Sequence, residues 1–151
     1  MIPEEEQSKW DFLGYESVEE GKPVQNWFDG LPDDHRDAIK DILSFLQVTP
    51  RADWDEPWYD PLIGEGGISE IRFEELKDER GKFYYRIYGF FGDEEEGSYK
   101  FLHAVNKKER NDRDGKGIAK KRKRKLENGE AKLHEFCMDR EVSSEETGKG
   151  A

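Results

Sequence analysis

The chain has 151 residues, 40% of them charged and 13% aromatic, and its 25 Lys and Arg against 36 Asp and Glu leave a net charge of −11. That length suits one domain, and nine Phe, six Tyr and four Trp exclude the aromatic-poor composition of a chain kept unfolded by its charge. No run approaches the roughly 18–20 apolar residues of a membrane span, the acidic start MIPEEEQSKW lacks a secretory profile, and the lone Cys137 cannot close an internal disulfide.

The expectation is therefore a cytoplasmic protein with no membrane partner, organised as an acidic tail over 1–7, one domain over 8–137 and a disordered acidic tail over 138–151. Residues 10–17 (WDFLGYES) read as a first strand, and VEEGKP is a turn punctuated by Gly21 and Pro23. Pro23 opens a helix whose Val24, Trp27, Phe28 and Leu31 follow i, i+3, i+4, i+7 spacing, and Gly30 ends it. Pro32, Asp33 and Asp34 start a second helix that buries Ala38, Ile39, Ile42, Leu43, Phe45 and Leu46 and stops before Pro50. So short a link folds the two into an antiparallel hairpin. Residues 50–67 are irregular, and their Trp54, Trp58 and Tyr59 are expected to cover one edge of the core.

Three runs rich in aromatic and β-branched residues follow: 68–77 (ISEIRFEELK), 83–91 (FYYRIYGFF) and 98–105 (SYKFLHAV). The short links DERGK and GDEEEG make them an antiparallel meander. Residues 118–126 are expected to be helical, and Leu133 and Phe136 to pack back as a final short element. The order β-α-α-β-β-β-α predicts an α+β fold, a helical hairpin packed on a four-stranded, mainly antiparallel sheet whose opposite face is partly wet or used for binding.

The charge is segregated. Residues 1–102 hold 11 basic and 26 acidic groups, residues 103–125 hold 11 and 3, and residues 126–151 hold 3 and 7. An acidic protein can thus still meet a polyanion through one stretch, densest at Lys120, Lys121, Arg122, Lys123, Arg124 and Lys125. That run reads as a solvated helix face, as a nuclear localisation signal, or as a phosphate-contacting strip. The strands also carry cations where a buried face does not want them. Arg72 and Arg86 are central in the second and third strands, and His103 lies in the fourth, before Lys107 and Lys108. With turns centred near 80 and 95, Arg86 falls close to opposite both Arg72 and His103. Like charges so placed need an anion between them, which Glu70, Glu74 or Glu75 supplies as a surface ion pair, or a ligand does.

Such a cluster suits a phosphodiester. Cleaving RNA by 2′-OH attack takes a base, an acid for the leaving oxygen and cations for the phosphorane. Arginine grips phosphate oxygens in pairs, lysine offers a point charge, and histidine moves protons near neutral pH. His35, His103 and His134 are too far apart in sequence to suggest a metal set, and no phosphate-binding glycine loop of the GxxxxGK[ST] form occurs, so neither metal nor cofactor is expected.

Four stretches, EEGKPVQNWFDGLP, PLIGEGGISEIRF, YYRIYGFF and FLHAVNKKERND, in this order and spacing, resemble the phage-derived HigB-like branch of the RelE/ParE toxin superfamily of type II toxin–antitoxin systems. The likeness covers about residues 8 to 127. It implies a RelE-like fold and a toxin, most often a ribosome-dependent, metal-independent mRNA endoribonuclease, held by a cognate antitoxin. The likeness places Arg72, Arg86, His103, Lys107 and Lys108 on its motif positions. For the enzyme it implies, Arg72, Arg86, His103 and Lys107 are expected to carry catalysis, and Lys108, with Arg110 and the basic run Lys120 to Arg124 read from the charge pattern, to contact the RNA backbone. Relatives that poison DNA gyrase, and inactive prophage-derived relatives, leave two alternatives to an enzyme.

Overall fold

The computed structural model describes residues 10–55, 57–73, 76–79, 81–92, 97–107 and 112–138. The expected tails, apart from Met138, lie outside these residues, as do residues 8–9 at the start of the expected domain.

Chain order runs β1 (Asp11–Glu16), α1 (Pro23–Asp29), α2 (Asp33–Gln47), β2 (Tyr59–Pro61), β3 (Ser69–Arg72), β4 (Leu76–Asp78), β5 (Gly81–Phe83), β6 (Tyr85–Phe91), β7 (Ser98–Asn106), α3 (Arg113–Glu127) and β8 (Lys132–Glu135). Pro23 sits at the start of α1, where its missing N–H costs nothing, and Asp33 and Asp34 occupy the positive end of α2. The two helices bury Val24, Phe28, Ile39, Leu43 and Leu46 against Phe12, Ile71, Ile87, Tyr99 and Phe101 of the sheet. Phe45, expected inside, is instead 48% exposed and meets Trp58 edge-on. Trp54 closes the layer: its indole N–H donates to the Leu46 carbonyl in the last turn of α2 and to the Thr49 carbonyl just beyond it.

The fold class is α+β, but the expected four-stranded RelE-like sheet is corrected by the strand count and by the position of α3. The main sheet has six strands in the order β2-β3-β6-β7-β1-β8, and β4 and β5 form a separate two-stranded ribbon. The pair β1–β7 is parallel and the other neighbours are antiparallel. The sheet's second face is not left wet. α3 lies on it, over a small core of Tyr15, Ile68, Tyr88, Leu102 and Ala119. Among the described residues no helix is long and apolar enough to cross a membrane.

Candidate functional site

Register decides which side chains meet. Across β3 and β6, Arg72 pairs with Arg86, Ile71 with Ile87 and Glu70 with Tyr88. Directly opposed residues share a face, as do residues two apart along a strand. Ile71 and Ile87 therefore enter the hairpin core, while Glu70, Arg72, Arg86 and Tyr88 all point toward α3. Across β6 and β7, Arg86 faces Val105, and His103 faces Tyr88 two residues further along. The expected opposition of Arg86 to Arg72 is present, whereas His103 is displaced by two pairs.

A bulge follows. Tyr88 pairs with His103 but Gly89 with Phe101, so Leu102 has no partner and both Leu102 and His103 turn toward α3. Glycine is required on the opposing strand, since a side chain at 89 would run into the Lys100 carbonyl and the Tyr99 ring.

The two arginines share a carboxylate. Arg72 reaches Asp60 at 2.9 Å and Glu70 at 3.1 Å, and Arg86 approaches the other Glu70 oxygen at 3.9 Å. Glu70 is only 5% exposed, and burial raises its pKa above the usual carboxylate value against the pull of Arg86 and Arg72. Arg86 in turn bonds the Tyr88 side chain. The Tyr88 hydroxyl, whose pKa burial pushes up, donates to Asp112 at 2.9 Å. Asp112 caps α3 by accepting from the Gly115 N–H at 3.1 Å, and Lys107 lies 3.5 Å from the same oxygen. Burial opposes ionisation of Asp112, yet the Gly115 N–H, Tyr88 and Lys107 hold its pKa below the usual value. The result is one polar chain, Arg72–Glu70–Arg86–Tyr88–Asp112–Lys107. Arg72 and Lys107, at 34% and 37% side-chain exposure, form its rim, and Arg86 and Glu70 lie beneath.

His103 is not part of that chain. Its Nδ1 lies 3.3 Å from the Arg122 guanidinium, and its ring stacks at 6.2 Å on Tyr88. Burial and the adjacent Arg122 lower its pKa to about 4, so the imidazole is neutral at neutral pH.

The basic run lies on α3, where six consecutive positions spread around the helix rather than forming one stripe. Lys120 pairs with Glu65 at 2.7 Å, Arg122 with Glu20 at 2.9 Å, Lys123 with Glu127 at 2.8 Å and Lys125 with Glu19 at 3.6 Å. Lys121 and Arg124 are exposed and have no ion pair among the described residues. Lys108 and Arg110 lie outside the described residues.

Tyr88 and Asp112 were not foreseen, and Glu70 was foreseen only as a surface counter-ion. Their signals are local: Tyr88 stands two residues from Arg86 on a strand, and an Asp three residues before Gly115 is a helix-start pattern. Among the described residues no group of three or more His, Cys, Asp or Glu is placed to hold a metal ion. Comparisons with family models, curated proteins and solved structures find no match to this chain.

Proposed function

We propose that this chain is the toxin of a type II toxin–antitoxin system, acting in the cytoplasm as a metal-independent, ribosome-dependent mRNA endoribonuclease. The observation that carries the reading is the Arg72–Arg86 pair, in register on one face and joined to Lys107 through Glu70, Tyr88 and Asp112. The four-motif resemblance supplies the biological setting, including a small DNA-binding antitoxin as cognate partner.

In the reaction so assigned, Arg72 and Lys107 grip the scissile phosphate from the rim and Arg86 adds fixed charge beneath it. Glu70, ionised between the two arginines and made a stronger base by its burial, takes the proton of the attacking 2′-OH. The 2′-oxygen bonds to phosphorus as the bond to the 5′-oxygen breaks. Lys107 gives that oxygen a proton, leaving a 2′,3′-cyclic phosphate and a 5′-OH. His103 takes no proton-transfer role, because a pKa of about 4 and a place against Arg122 suit it to support α3.

The test is inducible expression with transcript-end mapping, in wild type and in Arg86→Ala, with Arg86→Lys as the variant that keeps the buried charge. Growth arrest with in-frame cuts is expected of the wild type, and a loss of roughly 100-fold or more in cutting is expected of Arg86→Ala. Undiminished arrest in a folded Arg86→Ala defeats the assignment. A non-catalytic reading draws on a specific observation, that Arg72, Lys107 and four cations of the basic run already meet carboxylates. Intact transcripts with double-strand DNA breaks would favour binding to a target such as gyrase. Absence of arrest would favour an inactive prophage-derived relative.

A further inference from the structure

The site just described is covered. Arg86 is 7% exposed and Tyr88 fully buried, and α3 is the element that lies over them. What holds α3 down is unusual in its balance. Its own buried residues are only Gly115 and Ala119, while Ile118 is exposed and Leu126 half-buried. Loops on its two flanks clip it by charge instead. Glu65, from the loop between β2 and β3, takes Lys120, while Glu19 and Glu20, from the turn between β1 and α1, take Lys125 and Arg122. Arg122 also donates to the Leu102 carbonyl at 2.9 Å, the residue released by the bulge. These pairs are partly exposed, from 12% at Arg122 to 78% at Glu19, so salt screens them.

We infer that α3 is an electrostatically latched cover, and that a single-stranded RNA opens it by taking Lys120, Arg122 and Lys125 from Glu65, Glu20 and Glu19. The argument is one of differential affinity. Phosphates can meet those cations only after the glutamates release them, and Arg86 only after α3 lifts, so RNA binds the open form more tightly and shifts the equilibrium toward it. The cover itself follows from the packing of α3, and the choice of RNA as its opener rests on the proposed function.

Hydrogen exchange of the full chain, resolved by segment, tests both parts. Raising salt from about 50 mM to about 1 M is expected to speed exchange of α3 amides by roughly tenfold while those of α1 and α2 hold steady. The triple variant Glu19→Gln, Glu20→Gln, Glu65→Gln is expected to do the same at low salt. Adding a 2′-O-methyl RNA oligonucleotide, which lacks the attacking hydroxyl, is expected to speed α3 exchange as well. The cover is overturned if α3 exchanges only together with the hairpin and ignores both salt and the triple variant. RNA as opener is overturned if the oligonucleotide leaves α3 exchange unchanged or slows it. Cut transcripts in cells with an unresponsive α3 refute the cover and keep the proposed function, while an opening α3 without cut transcripts does the reverse.

Discussion

His103 illustrates how one neighbour changes what a residue can do. On the sequence it is a histidine beside lysines at a strand end, the pattern of a proton shuttle. In the fold the bulge at Leu102 turns it under α3, where burial and Arg122 hold its pKa near 4. The unfolded chain takes up that proton near 6.5, so between the two values the unfolded state binds more protons than the folded one. The stability tied to His103 is therefore complete above about pH 6.5 and is lost as pH falls toward 4. His103→Gln, which keeps an acceptor for Arg122, is expected to remove about 2 kcal/mol of the wild-type loss between pH 7 and pH 4.5. Denaturant titrations of both proteins at the two pH values check it, and equal losses would show that the imidazole already titrates in the open. Glu70 runs the opposite way. A carboxylate whose pKa is raised in the fold binds its proton more readily there, which fits a proton acceptor better than a plain counter-ion.

At the scale of elements, α3 is the piece whose character the sequence concealed. It begins at Arg113, five residues before the expected Ile118, because its inward positions are Gly115 and Ala119 and carry almost no hydrophobic signal. Small residues there let Tyr88 and the capping Asp112 come close. A methyl group at 115 would collide with the Asp112 carboxylate and stand 3.0 Å from the Tyr88 ring, and neither can give way while they bond each other. Gly115→Ala is expected to destabilise α3 by about 1–2 kcal/mol despite alanine's better helix propensity, through loss of the cap and crowding. Gly117→Ala, with nothing within 4 Å of the new carbon, is expected to gain up to about 1 kcal/mol. Amide exchange along α3 in the two variants reads the contrast directly. The other departures have equally local causes. The run 68–77 reads as one strand but leaves the sheet after Arg72, so that Leu76–Asp78 can pair with Gly81–Phe83 in its own ribbon. β2 is three residues ending in Pro61, tolerable only because β2 is an edge strand. The parallel β1–β7 pair joins segments more than eighty residues apart, which no local pattern reveals. What was legible depends on short range: the i, i+3, i+4 spacing of α1 and α2, and the Arg72–Arg86 register, which a turn near residue 80 suffices to set.

Taken whole, the molecule is two unequal layers on one sheet. The layer of α1 and α2 holds the larger core, with Phe28, Ile39, Leu43, Leu46 and Trp54 buried against five or more sheet residues, whereas the α3 layer is small and relies on charge. The net charge of −11 makes most of the surface repel a polyanion, so approach is confined to the side where the chain's positive stretch emerges. Salt dependence then becomes a count of contacts. If α3 stays closed and contact is made by the rim and the exposed positions of the run, Arg72 and Lys107 exchange their carboxylates for phosphate, Lys121 and Arg124 join them, and single-stranded RNA releases counterions with a slope of about −3 in log affinity against log salt. If α3 opens, Lys120, Arg122, Lys125 and the uncovered Arg86 join them, and the slope steepens to about −5.6. Binding of the 2′-O-methyl oligonucleotide across a salt series distinguishes the two forms without requiring cleavage. Lys121→Gln with Arg124→Gln should reduce the steepness by about 1.4 in either form, because both residues lie outside the latch. Lys120→Gln with Lys125→Gln should reduce it by a similar amount only if the latch is released on binding, so an unchanged slope in that variant means that RNA meets the protein with α3 still in place.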